Sequence, residues 1–470
     1  MNNKPILILQ MQRMGDLILT YPLILWLQRI FPQNPIHVVA ESVFFQPLLP
    51  VGPNVHYHSW DDLSQIRSLA FQSVINLSIQ DKAAALCAQL NTDHLIGPVI
   101  EQSGPRQIKR IHGNWQLYRA SLVENNGFNR FHWAELNALD IVPRETIAMT
   151  RFDAPRTLDS SQKAIGLFIG ASEPTKRPDN KFWIQLAETL LQRGYQPILF
   201  GGPAEAKAGA AIEKSISTPV LNYCGKLGLD QLALVGQTLQ LFITPDTGPM
   251  HLSAWTGTKT LNISMGNVNP WETGPYQPHH YIVRADMDCA HGCWSCTKPT
   301  TLCHAPFLPR KVAKLAIQLA TQEDIGAVPE LLLYKSGKNS NGLYQLEQYG
   351  NTDTHFHGPL SLFWQHFMLG AFEPDFAKQH LSSCQENLKQ LAHSHQQVHT
   401  KLHSAIPHLF SHISGCLKTG ALNNDFWEKS HPVIRPLSGL LQLELQNGDY
   451  SPVAIKSALK TIEQLASLFE

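Results

Sequence analysis

The chain begins with two short apolar runs that are separated by a helical pattern. The runs cover residues 5–10 and 36–40, and the apolar residues between 17 and 31 recur at helical spacing. Short apolar runs that are bounded by turn residues are typical of buried strands. Strand, helix and strand in this order predict a βαβ unit of a parallel sheet.

The same alternation of strands and helices continues and is interrupted once. Residues 143–163 lose periodicity and gain proline and polar residues, which is typical of a linker. The predicted strands are residues 73–77 and 94–96 before the linker and 164–169, 196–200, 239–244 and 260–264 after it, with helices at 82–90, 182–193 and 250–256. We therefore predict two doubly wound α/β domains in tandem, residues 1–155 and 156–328, with a ligand cleft between them.

The last part of the chain has a different pattern. Residues 330–350 predict a hairpin that turns at residues 339–342. Beyond it, the apolar spacing between residues 360 and 367 fits a helix. We predict a third, accessory domain over residues 329–470, in which a short hairpin is followed by helices.

Length and charge narrow the classes of function. A chain of 470 residues exceeds the size at which one core stops growing, about 250–300 residues. Its 37 Lys and Arg side chains balance 37 Asp and Glu side chains, so no overall field draws it to nucleic acid. Arg13 and Asp16 interrupt the apolar amino terminus, which argues against a signal peptide or a membrane span. We expect a cytoplasmic protein with at most peripheral contact with the inner face of the membrane.

Asp16 is the first candidate for chemistry, because it follows the first strand in the sequence Met14-Gly15-Asp16. A carboxylate in a loop that faces the predicted cleft can take a proton from an incoming hydroxyl, as a general base does. The alternative is a helix cap, since an aspartate near a helix start also satisfies free backbone donors. The local sequence leaves both interpretations open.

Two further loops carry groups that suit a nucleotide diphosphate. After the first strand of the second domain come Ser172, Thr175, Lys176 and Arg177, which offer hydroxyl and cationic donors to a leaving phosphate. A solvated surface loop is the alternative there. After a later buried strand comes the run Asp246, Thr247, Gly248, Pro249, Met250 and His251. It predicts a helix amino end that presents N–H groups to phosphate, with Asp246 placed to accept from ribose or base donors.

These segments together resemble a known family. The runs MGDLILTYPL, GASEPTKR, LFITPDTGPMHLSAWTGTKTLNI and NPWETGPYQP are similar, in matching order over residues 4–309, to motifs of bacterial lipopolysaccharide heptosyltransferases and their glycosyltransferase family 9 relatives. The resemblance implies a GT-B fold, an ADP-heptose donor and a metal-independent transfer that inverts the anomeric centre. It also implies an acceptor-side first domain and a nucleotide-sugar-binding second domain.

The resemblance also assigns roles to residues. The family's catalytic aspartate falls on Asp16, and its phosphate-binding lysine region falls on Thr175 to Arg177, where Lys176 would stabilise the leaving group. Its nucleotide-binding turn falls on residues 246–251. The expected donor-binding residues are therefore Gly15, Ser172, Thr175, Arg177, Asp246, Thr247, Gly248, Pro249, Met250 and His251.

Cysteine and histidine clusters raise the question of a metal. Four cysteines lie within a short stretch: Cys289, Cys293, Cys296 and Cys303. They could hold a structural zinc or iron. The alternative is a loop of the family with free thiols. Asp286-Met287-Asp288 matches a metal-binding triplet of another glycosyltransferase architecture, but so short a match arises easily by chance. The histidines of the accessory domain at helical spacing favour a solvated helix face; they are His393, His395, His399 and His403.

Three functions remain open at this point. The first is transfer of a heptose or similar sugar from an ADP-sugar to a hydroxyl of lipopolysaccharide core or of a related glycan, free or lipid-linked. The second keeps the donor but makes the acceptor a protein, which the accessory domain would grip. The third is a nucleotide-sugar-binding protein without catalysis, which Asp16 and Lys176 argue against because a pure binder needs no base.

Overall fold

The structure is a computed structural model, and it describes residues 3–103, 105–159, 161–321, 325–350, 354–374 and 377–470. We call its parts the first unit, the second unit and the accessory helices. The first unit has the strands β1 (Ile6–Gln10), β2 (Ile36–Ala40), β3 (His56–Ser59), β4 (Ala70–Asn76), β5 (Asn91–Ser103) and β6 (Arg106–His112). Its helices are α1 (Met14–Ile18), α2 (Tyr21–Ile30), α3 (Ser42–Phe45), α4 (Ser64–Ser68), α5 (Asp81–Cys87), α6 (Asn114–Ser121), α7 (Trp133–Leu136) and α8 (Arg144–Met149).

The second unit follows an irregular connection. Its strands are β7 (Ala164–Phe168), β8 (Gln196–Phe200), β9 (Leu221–Asn222), β10 (Leu241–Pro245), β11 (Thr260–Ile263), β12 (Tyr281–Ala285), β13 (Leu331–Lys338) and β14 (Tyr344–Tyr349). Its helices are α9 (Asn180–Gln192), α10 (Ala206–Ser215), α11 (Leu229–Gly236), α12 (Gly248–Trp255), α13 (Pro270–Thr273) and α14 (Pro309–Thr321). The accessory helices are α15 (His357–Phe372), α16 (Ala377–Ser394), α17 (Gln396–Thr419), α18 (Phe426–Lys429), α19 (Arg435–Asn447) and α20 (Pro452–Ala466).

Both sheets have the doubly wound arrangement that the sequence predicts. The first sheet has the order β3-β2-β1-β4-β5-β6, and the second has β14-β13-β12-β11-β10-β7-β8-β9. The strands β1 to β5 pair in parallel, and so do β7 to β12. In register, Ile8 of β1 lies between Val38 and Ile75. Central strands of such sheets are covered on both faces, which explains why β1 is apolar almost throughout and buried.

The strand order places the candidate loops. In each sheet the chain reverses its winding direction beside the first strand, between β1 and β4 and between β7 and β10. Ligands of doubly wound sheets bind at the carboxyl ends of strands at such switch points. Asp16 follows β1, Lys176 follows β7, and the run from Asp246 follows β10. The topology therefore brings the candidate residues to the two places where a ligand is expected.

Several predicted elements differ in detail. The helix expected over residues 17–31 is two helices, α1 and α2, because Pro22 in the first turn of α2 has no N–H to continue the ladder. The expected linker begins with a helix, α8, whose N-cap is Pro143. The hairpin expected in the accessory domain extends the second sheet, since β13 pairs antiparallel with β12 through Val283 and Leu333. The boundaries at 155 and 328 stay predictions.

The accessory helices pack on both units. Helix α19 lies against α6, and Asn447 at its end exchanges two hydrogen bonds with the backbone of Ile111 in the edge strand β6, at 2.8 and 3.0 Å. Arg144 in α8 pairs with Glu373 after α15 at 2.8 Å. One hydrophobic cluster runs through all three parts and includes Leu23, Phe242 and Trp364. In the described ranges, none of the helices combines the length and apolar character that a membrane span requires.

Candidate active site

The two units touch where helix α1 meets the amino end of α12. Gly15 and Gly248 face each other so closely that a Cβ added to Gly15 would lie 3.5 Å from the Gly248 Cα and 3.2 Å from His251 Cδ2. A Cβ added to Gly248 would collide with Met14 Cε. Glycine suits both positions because two backbones approach each other there. This contact places Asp16, the next residue of α1, beside the turn that carries Gly248.

Asp16 combines both roles that the sequence left open. It is the third residue of α1, and its Oδ2 accepts the backbone N–H of Arg13 at 3.2 Å, as a helix cap does. The residue as a whole nevertheless remains partly exposed. The peptide oxygen of Asp16 accepts from the Thr20 hydroxyl at 2.8 Å, which fixes the turn. The carboxylate is thus held in place without being sealed from a ligand.

The surroundings of Asp16 raise its basicity. Burial raises the pKa of Asp16 above its usual value, and the nearby guanidinium of Arg119 is the largest opposing influence. Arg119 is itself buried and donates to Leu77 O at 3.3 Å and to Gln116 Oε1 at 3.2 Å. Burial lowers the pKa of Arg119 to about 10, which still leaves it charged at neutral pH. A carboxylate with a raised pKa accepts a proton more readily than an ordinary one.

Across the contact, Asp246 marks the end of β10. Its Oδ2 accepts the hydroxyl of Thr273 at 2.6 Å. Burial raises the pKa of Asp246, while that hydrogen bond and the positive charges of Lys176 and Arg284 oppose the rise. Lys176 lies 3.4 Å from Glu173 and is one-fifth exposed. The structure therefore brings the lysine of one loop close to the aspartate of the other.

His251 lies in the first turn of α12 and is almost fully buried. Burial lowers its pKa to about 4, so the ring is neutral at pH 7. Within the described residues its Nδ1 has no hydrogen-bond partner. A neutral imidazole can meet a phosphate only through one N–H, so this ring supplies no positive charge there.

The remaining predicted donor-binding residues are placed less uniformly. The Thr175 hydroxyl donates to Asn267 Oδ1 at 2.8 Å. Arg177 turns away toward Glu205 at 3.4 Å, and Ser172 is exposed. Thr247 is the N-cap residue of α12, whereas Pro249 and Met250 are buried, so the Met250 side chain serves the core. Their assignment to the donor stays a prediction.

A polar seam between the units was not predicted. The buried carboxyl of Glu272 accepts from Asn126 Nδ2 at 2.7 Å and from Asn129 Nδ2 at 3.0 Å, joining α13 to the first unit. Its neighbour Thr273 is the residue that holds Asp246. Burial raises the pKa of Glu272 to about 8, although both amide donors lower it. The only signal for this segment was the resemblance of the run NPWETGPYQP, which did not identify the partners.

The four clustered cysteines differ in exposure. In the parts of the chain that the structure describes, no group of three or more His, Cys, Asp or Glu side chains is arranged to hold a metal ion. Cys289 and Cys296 are exposed, whereas Cys303 is partly buried. The Cys293 thiol donates to Gly266 O at 3.5 Å. Burial raises the pKa of the Cys293 thiol, the charge of Arg284 lowers it, and Cys303, Cys289 and Cys296 each raise it further, so the four thiols lie near one another. The zinc or iron site at these cysteines stays a prediction.

The acidic triplet and the histidine run have structural partners. His355, just before α15, pairs with Asp286 at 3.0 Å and with Asp288 at 2.5 Å. These carboxylates therefore fasten the accessory helices to the second unit. In the histidine run, the rings of His399 and His403 pack against the Phe469 ring, with distances between ring centroids of 5.3 and 5.0 Å. The helix face is thus partly packed and not wholly solvated.

Comparison with known proteins decides the family. Residues 63–300, half of the chain, match the family described as glycosyltransferase family 9 (heptosyltransferase). The chain belongs to glycosyltransferase family 9. The match includes the loop of Lys176 and the turn of Gly248, so two of the three candidate loops lie inside the family region.

A solved structure supports the fold of this family 9 chain. The structure described as the glycosyl transferase family 9 from Veillonella parvula superposes with a TM-score of 0.52 at 18% identity, covering 69% of this chain and 99% of that one. The two doubly wound units that face each other at α1 and α12 form the GT-B fold, as the resemblance implied.

Curated relatives of the family 9 chain match over shorter stretches. Lipopolysaccharide heptosyltransferase 2 of Escherichia coli is 32% identical over 103 residues, which are 21% of this chain and 30% of that protein. Lipooligosaccharide heptosyltransferase 2 of Campylobacter jejuni is 32% identical over 177 residues, 36% of this chain and 54% of that protein. The chain thus spans about half or less of the length of these relatives.

Proposed function

We propose that this family 9 chain is an inverting glycosyltransferase that moves a heptose, or a similar sugar, from an ADP-sugar to an acceptor hydroxyl. The names of the curated relatives support a glycan of the lipopolysaccharide type as acceptor. The transfer takes place in the cytoplasm, where the first unit binds the acceptor and the second unit binds the donor.

One observation carries the proposal. The Gly15 and Gly248 contact sets Asp16, a partly exposed residue of one unit, against the amino end of α12 in the other. A general base and an anion-binding helix end are the two parts that an inverting displacement needs on opposite sides of the anomeric carbon. The packing of two glycines is what allows both parts to serve one substrate.

The chemistry follows from these positions. Asp16 takes the proton of the acceptor hydroxyl while the hydroxyl oxygen attacks the anomeric carbon. The bond from that carbon to the diphosphate oxygen breaks, and the departing ADP gains negative charge. Lys176 and the N–H groups at the start of α12 stabilise that charge, which is the part a divalent cation plays in other transferases. Asp246, oriented by Thr273, accepts from hydroxyls of the donor.

The substitution Asp16→Asn separates the role of Asp16 as a general base from its role as a helix cap. An asparagine oxygen can still accept the N–H of Arg13, so the helix start is preserved while the base is lost. We expect transfer to fall by about 100-fold or more, with the ADP dissociation constant from calorimetry nearly unchanged. Lys176→Ala should weaken ADP binding instead. An Asp16→Asn variant with wild-type turnover would leave only the capping role and refute the proposal.

A polypeptide is a second candidate acceptor, and the accessory helices favour it. They form two open grooves of about 720 and 910 Å³ that share Lys401 and His431. The smaller groove also includes Phe128 of the first unit, so it reaches toward the acceptor side. Incubation with ADP-heptose and either glycan or protein acceptors, followed by intact mass measurement, separates the two. No transfer to either acceptor, with ADP still bound, would indicate a binding protein without catalysis.

A further inference from the structure

Arg284, at the end of β12, is buried and uses all five of its N–H groups. Its Nη1 donates to Ser264 O and Oγ, both at 3.0 Å. Its Nη2 donates to Gly266 O at 3.3 Å and to Val268 O at 2.8 Å, and its Nε donates to Ala290 O. A planar guanidinium can hold several carbonyls in fixed directions, which the ammonium of a lysine cannot do. Arg284 therefore fixes the backbone of residues 264–268, which we call the β11 loop.

The β11 loop packs directly on the turn that carries Lys176. Gly266 has a φ of +74°, and a Cβ added to it would collide with Thr175 O and lie 3.2 Å from the backbone N of Lys176. The loop approaches so closely because glycine has no side chain. Arg284 thus lies behind the loop, and the lysine turn lies in front of it.

Asn267 makes a second link between the two segments. Its Oδ1 accepts the Thr175 hydroxyl at 2.8 Å, and its Nδ2 donates to Glu173 Oε2 at 3.0 Å. Glu173 in turn lies 3.4 Å from the Lys176 ammonium. A continuous set of contacts therefore runs from the guanidinium through the β11 loop to the lysine.

We infer that Arg284 is a positioning residue that, through the β11 loop, aims Lys176 at the diphosphate of the nucleotide sugar. The inference rests on the proposed function, because it gives Lys176 the diphosphate as its target. All five N–H groups of Arg284 are used by protein acceptors, so its effect on Lys176 passes through the β11 loop.

Calorimetric binding of ADP and AMP to full-length variants tests this inference. Arg284→Lys should weaken ADP binding by about tenfold and AMP binding less, because AMP lacks the second phosphate. Asn267→Ala should likewise weaken ADP binding more than AMP binding. Because Asn267 is partly exposed, this variant carries less risk of misfolding. The double variant Lys176→Ala with Arg284→Lys should bind ADP no more weakly than Lys176→Ala alone.

A matched control is Arg156→Lys. Arg156 also donates to a backbone carbonyl, Thr256 O at 2.7 Å, but at the far end of α12 from Gly248. This variant should keep the wild-type ratio of ADP to AMP affinity. Unchanged ADP binding in both Arg284→Lys and Asn267→Ala, or additive losses in the double variant, would overturn the inference. If Lys176→Ala itself bound ADP normally, both the inference and the proposed role of that lysine would fail.

Discussion

The protein should lose stability as the pH rises, and replacing Glu272 with glutamine should abolish a large part of that loss. The carboxyl is 3% exposed and lies in the seam between the two units. Burial raises its pKa to about 8, and the nearby Asp246 adds to the rise, while the amides of Asn126 and Asn129 oppose it. Glutamine has the same shape and no titratable proton, but its NH2 group cannot accept from the second asparagine. That loss does not vary with pH, so the pH dependence of the difference isolates this one ionisation.

The sign and size follow from linkage. In the unfolded chain Glu272 ionises near its ordinary pKa of 4.5, whereas in the folded protein it keeps its proton until about pH 8. Between these values the folded state binds one more proton, so the free energy of unfolding falls as the pH rises. Each unit of pKa corresponds to about 1.4 kcal/mol, so the full loss approaches about 5 kcal/mol above pH 8.

Urea unfolding at pH 5, 7 and 9 measures this effect. Relative to the wild type, Glu272→Gln should gain stability steadily from the lowest to the highest pH. The exposed Glu463 in α20 supplies a control, and Glu463→Gln should follow the wild-type profile. Parallel profiles for the wild type and Glu272→Gln would refute the reasoning, because they would show that the carboxyl ionises normally inside the seam.

Two further predictions concern a close-packed glycine and a pair of hydrogen bonds. In Gly274→Ala the new Cβ would collide with the buried Tyr344 hydroxyl, so the free energy of unfolding from thermal unfolding should fall by about 1–3 kcal/mol. Gly337→Ala in β13 is the control, because a Cβ there would have no atom within 4 Å, and it should be neutral or slightly stabilising. Asn447→Ala removes both hydrogen bonds to Ile111, so the free energy of unfolding should fall by about 1–3 kcal/mol. Hydrogen exchange at the Ile111 amide should accelerate, and unchanged exchange would contradict a structural role for this contact.

The parts of the site that the sequence predicted are those with a local cause. A buried strand followed by glycine and a helix start indicates a loop at the carboxyl edge of a parallel sheet, and this holds for Gly15 after β1 and Gly248 after β10. The alternation of strands and helices then sets the topology, because parallel strands need crossover helices. Local pattern and chain order together were sufficient to bring Asp16 opposite the α12 turn.

The parts that escaped prediction depend on partners far apart in the chain. Glu272 and Asn126 are separated by 146 positions, and neither an amide nor a carboxyl at these sites has a periodic signature. Arg284 illustrates the same limit, since arginine in a strand indicates nothing about which carbonyls it will bind. The cysteines illustrate it too, because spacing counts possible ligands but does not fix where each Cβ points. Residues that hold loops in place are therefore visible only once the loops have been folded against each other, and in this chain they lie directly behind the residues that the motifs indicate.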